Sequence, residues 1–196
     1  TAEPAGPVTV TGIEKKKENK NAPLLYNLAE LQNDCSKYFK ISPDETLRIV
    51  QELYEKKMTT YPRTDARVLS TAVAKEIHKN IGGLRSYALA TPFAKEVLEQ
   101  GTYKNIAKTR YVNDKQITDH YAIIPTGQGL NNLAGLAPTA AKVYEVIVRR
   151  FLSIFYPPAV YQKFSLTVKV REENFFASFK VLVQEGYLKV ANFIYR

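Results

Sequence analysis

The chain is 196 residues long, 45% hydrophobic, and carries a formal net charge of +9 from 28 Lys and Arg against 19 Asp and Glu. That length suits one or two domains with a real core. No run of about 18 apolar residues is present to span a membrane. A single cysteine, Cys35, excludes an intramolecular disulfide and a cysteine-built zinc site and makes a reducing cytoplasm the default location.

The N-terminal TAEPAGPVTV has no charged-then-apolar leader pattern and reads as a cut or processed end. Val8 and Val10 alternate with polar neighbours and predict a short strand over 6–13. The polar, basic EKKKENKNAP (14–23) reads as a loop whose lysines are a solvated run. A helix follows Asn27, a good N-cap with Glu30 three residues on, and it carries Leu28, Leu31, Cys35 and Phe39 on one face. A stronger one follows Ser42: Pro43 takes the first helical position, Glu45 completes a capping box, and Leu47, Val50, Leu53 and Tyr54 form the inward stripe. Lys56 and Lys57 fall in its last turn, where the helix dipole favours cations.

That helix delivers the chain to MTTYPRTDARVLS (58–70). The β-branched pair before Tyr61, with Pro62 after it, predicts an extended stretch anchored by a rigid helix. In such a stretch Tyr61, Arg63 and Asp65 share one side, while Thr64 points oppositely or caps a turn. A phenol can act as a covalent nucleophile if its proton is removed or its anion stabilised. A guanidinium two residues away can grip the same phosphate bidentately and offset charge growing on it. Asp65 would orient Arg63. The competing reading of the same stretch is a surface turn.

A third helix is predicted from Ser70, with Val73, Ile77, Ile81 and Leu84 inward and Gly82–Gly83 as its end. His78 falls off that stripe, at the surface or boundary. A short helix over 91–101 takes Thr91 as cap and Gly101 as stop. The stretch 103–129 is basic and tyrosine-rich: Lys104, Lys108, Arg110 and Lys115 stand against Asp114 and Asp119. Cations interleaved with aromatics suit nucleic-acid contact by stacking and phosphate pairing, and equally suit an ordinary irregular connection. His78 and His120 lie far apart in sequence, so no His-built metal site is expected. A long amphipathic helix over 137–159 ends at Pro157 and Pro158. A hairpin over 162–183 follows, with Phe164, Leu166, Val168 and Val170 alternating on one arm, Phe175, Ala177, Phe179 and Val181 on the other, and a turn at 171–174. GYLKVANF (186–193) reads as a further strand. No internal repeat is found. The order predicts an α+β chain in which a helical domain is inserted between pieces of a β-rich one.

Three segments, in order, carry a family resemblance: LYNLAELQ (25–32), LYEKKMTTYPRTDARVLS (53–70) and TDHYAIIPTG (118–127), with a weaker fourth in KVYEVIVRRFLSIFYPPAVYQ (142–162). The chain resembles type IA DNA topoisomerases, most closely the bacterial topoisomerase III branch. The resemblance implies a helical cap domain over 23–132 that bears the active-site tyrosine, between two pieces, 1–22 and 133–196, of a β-rich arch (toroid) domain. It implies relaxation or decatenation of DNA by ATP-independent transesterification. Tyr61 matches the nucleophile that becomes joined to a 5′ phosphate, and Arg63 lies beside it. His120 matches the histidine that hydrogen-bonds a phosphate, and Thr64, Asp65, Lys104, Lys108 and Arg110 join the expected DNA-contacting set. Ala66 and Tyr121 depart from the family, which usually has serine and often a second histidine there. The family's metal-binding Toprim domain, which holds Mg²⁺, and its second gate domain match nothing in this sequence. The resemblance therefore implies a piece that binds single-stranded DNA, holds no metal itself, needs those domains as partners, and is inactive alone. The other classes of function open to this sequence are a noncatalytic single-stranded nucleic-acid-binding module and a plain interaction domain whose positive charge is incidental.

Overall fold

The computed structural model describes residues 6–191, which form two compact units: 6–21 with 158–186, and 22–157 with 187–191. The first is a three-stranded antiparallel sheet in the order β1 (Val8–Lys20), β2 (Ala159–Val170), β3 (Glu173–Gln184). β1 is much longer than the strand expected over 6–13 and takes in the lysine run. Lys15 pairs with Phe164, Lys16 with Lys163 and Lys20 with Ala159. The backbone ladder with β2 carries this stretch, and an edge strand tolerates its lysines well. A bulge lies between Val10 and Gly12.

The β2–β3 hairpin has the predicted arms: Phe164 faces Phe179, Leu166 faces Ala177 and Val168 faces Phe175. Its turn is tighter than expected, because Val170 already pairs with Glu173 and only Arg171 and Glu172 remain unpaired. The alternation divides the sheet into two faces. Val8, Val10, Ile13, Phe164, Leu166, Val168, Phe175 and Phe179 share one. The two phenylalanines at its centre stack at 5.0 Å.

The second unit is helical. In α1 (Leu28–Phe39) the Asn27 side chain accepts from Glu30 N–H, and in α2 (Pro43–Glu55) Ser42 accepts from Glu45 N–H, with Pro43 in the first turn. Leu31 and Cys35 of α1, and Ile49, Val50 and Leu53 of α2, are fully buried. Tyr54, expected on the inward stripe, is 39% exposed. The helix predicted after Ser70 is broken at Glu76 into α3 (Thr71–Lys75) and α4 (Ile77–Gly83). The break rotates Ala74, Ile77, Ile81 and Leu84 inward and leaves Val73 half-exposed. α5 (Thr91–Gln100) ends as predicted at left-handed Gly101. Thr91, though, lies inside the helix and donates its hydroxyl proton to the Arg85 and Tyr87 carbonyls.

α6 (Pro138–Ser153) packs against α2 and α7 (Leu188–Ala191). The compact units therefore divide at 157/158, whereas the sequence reading divides the chain at 132/133. The residues read as a further strand near 188 are the helical turn α7, with Val190 fully buried.

A buried polar cluster ties α1 to α6. Tyr26 donates to Asp34 Oδ2 at 2.5 Å, and Arg150 donates to the same oxygen at 3.1 Å and to the Leu24 carbonyl at 2.8 Å. The guanidinium lies 4.1 Å from the Tyr26 ring centroid. Burial, the largest effect, and then the neighbouring Asp34 hold the Tyr26 hydroxyl well above the usual phenol range, so it serves as a fixed donor.

Candidate active site around Tyr61

The end of α2 sets the position of the site. Met58 N–H closes back on the Leu53 carbonyl, and the chain leaves the helix through Lys57, at a left-handed φ of 62°. Thr59 and Thr60 then pair with the 122–126 segment. Thr60 N–H donates to the Ile124 carbonyl at 3.0 Å, Ile124 N–H donates to Thr60 Oγ1 at 2.9 Å, and Thr60 Oγ1 donates to the Ala122 carbonyl at 3.0 Å. Two glycines let the second segment lie this close. Gly127 and Gly129 have φ of 80° and 73°. A Cβ on them would sit 2.6 Å from the Asn80 oxygen and 2.4 Å from the Lys56 oxygen.

The first segment is fixed from its other side by 25–28. Leu25 N–H donates to the Arg67 carbonyl and Leu28 N–H to that of Thr64, both at 3.1 Å. The Arg67 side chain returns donors to the Leu25 and Leu24 carbonyls. Tyr26 and Ile123 pair across the same junction. The three stretches that carry the family resemblance are thus hydrogen-bonded to one another around residues 58–67.

Tyr61 is half-buried between two rings. Tyr54 meets it edge-on at 5.4 Å between centroids, and His120 lies over it at 4.3 Å with a 36° tilt. The rings border an open cleft of about 700 Å³, whose walls include Lys57, Thr60, Tyr121 and Gln128. The Thr59 hydroxyl is buried beside this cleft without a hydrogen-bond partner. Tyr61 and His120, 59 residues apart in sequence, are in direct ring contact.

The remaining expected site residues are placed differently. Past Pro62 the chain bends, yet inward and outward positions still alternate. Pro62, Thr64 and Ala66 are buried, and Arg63 and Asp65 are exposed. Arg63 does not line the cleft. The Thr64 hydroxyl accepts from Ala66 N–H at 3.1 Å and caps the turn, with the residue withdrawn from solvent. The Asp65 carbonyl accepts from Asn27 Nδ2 at 3.3 Å. Lys104 and Lys108 are exposed on a 3₁₀ segment (Thr102–Lys108), outside the cleft. Arg110 donates to the Ala22 carbonyl at 2.8 Å and covers the Tyr111 ring, so its charge partly serves the fold.

Lys57 and Tyr54 line the cleft although sequence reasoning assigned them to a helix dipole and to the core. Their only sequence signal was a place within seven residues of Tyr61 on one helix end. The cleft exists because 120–128 folds over that end, a tertiary contact that local periodicity does not carry. Among the described residues no group of three or more His, Cys, Asp or Glu is placed to hold a metal. The cleft walls offer phenols, hydroxyls, an imidazole, an amide and an ammonium, but no carboxylate. That donor set does not fit Mg²⁺, which binds through carboxylates and phosphates. Among the described residues no helix is long and apolar enough to cross a membrane.

The family model described as DNA topoisomerase matches residues 2–195. The chain is 37% identical over 185 residues to DNA topoisomerase 3 of Bacillus cereus, which covers 93% of this chain and 24% of that protein. It is 35% identical over 182 residues to DNA topoisomerase 3 of Bacillus subtilis, covering 92% and 24%. In fold it is similar to full-length topoisomerase I from Thermotoga maritima, with a TM-score of 0.66 at 20% identity over 93% of this chain and 29% of that one. A mixed helical fold with a three-stranded antiparallel sheet is common ground with that topoisomerase I structure. The chain belongs to the DNA topoisomerase family. It spans about a quarter of the length of the curated relatives it matches.

Proposed function

We propose that the chain is the part of a type IA DNA topoisomerase that supplies the nucleophile for breaking and rejoining single-stranded DNA, with Tyr61 in that role. On this reading the helical unit is the cap domain with the active-site tyrosine, and the sheet is part of the β-rich arch. Tyr61 Oη forms a bond to phosphorus as the P–O3′ bond breaks. The phenol proton leaves and the departing 3′ oxygen gains one, so a 5′-phosphotyrosine and a free 3′ hydroxyl result. Rejoining is the reverse exchange, and no ATP is consumed because one phosphoester replaces another. Relaxation or decatenation of DNA in the cytoplasm follows from repeated exchange around a passed strand.

The observation that carries this reading is the half-exposed Tyr61 ring held between Tyr54 and His120 on the wall of an open cleft. A ring fixed on two sides keeps its hydroxyl in one place, and position is a large part of what a nucleophile requires. Lys57 and His120 border the same cleft and can stand near the non-bridging oxygens of a bound phosphate. Arg63, one residue past Pro62 and exposed, reaches a phosphate from outside the cleft rim. Mg²⁺, held by a Toprim domain supplied by another part of the polypeptide, would bring the added positive charge for rejoining. The Toprim and gate domains are the chain's partners on this reading.

The absence of any carboxylate from the cleft walls favours a second outcome for the isolated chain, which is binding without cleavage. The test is a denaturing gel with a 3′-end-labelled single-stranded oligonucleotide and Mg²⁺. The full-length protein traps a covalent adduct at Tyr61. The Tyr61→Phe protein traps none while still shifting the DNA on a native gel. The 196-residue chain alone also traps none. An adduct in the Phe variant, or one mapped to another residue, overturns the assignment. If the full-length protein binds but never forms an adduct, the noncatalytic single-stranded nucleic-acid-binding module is correct.

A further inference from the structure

The face of the sheet opposite the phenylalanine stack has a different character. Lys16 on β1, Lys163 on β2 and Lys180 on β3 are direct cross-strand partners. Three ammonium groups thus stand in one row across the whole sheet. Like charges directly opposite one another destabilise a sheet, so the row has no rationale within the unit itself. Glu18 answers it, at 2.9 Å from Lys180 Nζ. The hydrogen bond from Lys180 first, and then the charges of Lys180, Lys163 and Lys16, hold Glu18 below the usual carboxylate range. Adding Lys20, Lys169 and Glu14 of the same face, five cations oppose two acids, a surplus of three.

Beside the lysine row runs a polar one, in which Glu14 faces Ser165 and Ser165 faces Ser178. The next row sets Thr167 against Phe176. Phe176 is 82% exposed on this face, the most exposed ring there, with Leu182 beyond the lysine row. Its ring, with Ser165, Thr167 and Ser178, borders a shallow cleft of about 400 Å³. A bare aromatic ring next to a line of ammonium groups and hydroxyls matches the chemistry of a nucleic-acid strand, in which bases stack and phosphates pair.

We propose that this face of the sheet is a second binding surface for single-stranded DNA, in which Phe176 stacks a base and the Lys16–Lys163–Lys180 row neutralises the adjoining phosphates. The surface belongs to the sheet unit and uses no residue of the Tyr61 cleft. Single-stranded DNA is the better occupant because a duplex hides its base faces from Phe176. Glu18 holds the lysine row in the free protein and is the residue a phosphate must displace.

The test is fluorescence anisotropy of a labelled oligothymidylate of about twelve nucleotides with the 196-residue chain across a salt series. In Lys16→Gln/Lys163→Gln/Lys180→Gln the slope of log K against log salt becomes shallower by about 0.7 per lysine, and Phe176→Ala weakens binding about tenfold. Glu18→Gln tightens binding, a gain that loss of fold cannot produce. A triple variant with the wild-type slope, or Glu18→Gln binding no tighter, overturns the proposal. Equal affinity for duplex, with Phe176→Ala silent, also overturns it, because the occupant is then not a single strand. All these readouts are noncovalent, so they stand or fall apart from the Tyr61 adduct. Repeating them with Tyr61→Phe leaves the differences between variants unchanged.

Discussion

The two units of this chain solve the problem of apolar side chains in opposite ways. In the helical unit Leu25, Leu31, Leu53, Met58, Tyr144 and Phe151 are all withdrawn from solvent, and the candidate site is built on the rim of that interior. In the sheet every residue of β3 is exposed, and Val8, Ile13 and Phe175 are more than half exposed. The sheet is held by its backbone ladder and by cross-strand pairs such as Phe164–Phe179. The contrast teaches where each unit's precision comes from. A catalytic ring needs neighbours that do not move, and close packing supplies them. A strand-tracking surface needs spacing along and across strands, and a ladder supplies that without a deep core.

The sharpest way to break this comparison is to cut a large apolar side chain back to alanine in each unit. Leu53→Ala, on α2 seven residues before the Thr60 clamp, should destabilise the helical unit by about 3–5 kcal/mol, the range for a large-to-small change in a closed core. Phe179→Ala removes one half of an exposed cross-strand pair and should lower stability by about 1 kcal/mol or less. Urea melts followed by amide exchange in each unit separate the two effects. If Phe179→Ala is as harmful as Leu53→Ala, the sheet has a core after all.

The next test concerns polar rather than apolar packing. Arg150→Met keeps much of the side-chain volume but leaves the Asp34 carboxylate with only the Tyr26 hydroxyl. Breaking a buried pair from one side should destabilise by about 3 kcal/mol. Arg150 also holds the Leu24 carbonyl, so the effect should reach the junction where 25–28 grips 64–67. Adduct formation by the full-length protein should therefore fall in this variant although Arg150 does not border the cleft. Unchanged stability would show that water replaces the guanidinium there.

How much of this was readable from the chain follows the same division between local and tertiary causes. The caps at Asn27 and Ser42 and the facing of Phe164 and Phe179 are local: one residue type at one spacing accounts for each. The lysine-rich half of β1 was not readable, because its strand character comes from a partner far along the chain, β2, with Lys16 pairing to Lys163. The break at Glu76 has no Pro or Gly to mark it. Tyr61 and His120 were legible as candidates through the family's motifs. That Tyr54 and Lys57 share their cleft was not, since the cleft arises where one segment lies over the end of α2. Arg63 was assigned to the face of Tyr61 by strand alternation, and the bend after Pro62 sets it outside the cleft.

The smallest expected effect is a local dependence on pH in the helical unit. Asp114 accepts from both the backbone N–H and the hydroxyl of Thr71, at 2.8 and 2.6 Å, and so fastens the start of α3 to the 109–116 segment. The Thr71 side-chain and backbone hydrogen bonds hold its carboxyl below the usual aspartate range. A depressed carboxylate stabilises the fold above its unfolded pKa, and the benefit is lost as pH falls through the folded one. The start of α3 should therefore loosen only at the acid end of the carboxylate range or below it. Glu145 has the opposite sign: burial, partly offset by Arg149, raises its carboxyl, so its contribution weakens as pH rises through the region just above the ordinary glutamate value. A global melt sums the two and hides both. The decisive readout is the exchange rate of the Thr71 amide in acid, compared between wild type and Asp114→Asn. The wild-type amide should lose protection on acidification, while the Asn variant, with no carboxylate to protonate at that position, should show a flatter profile.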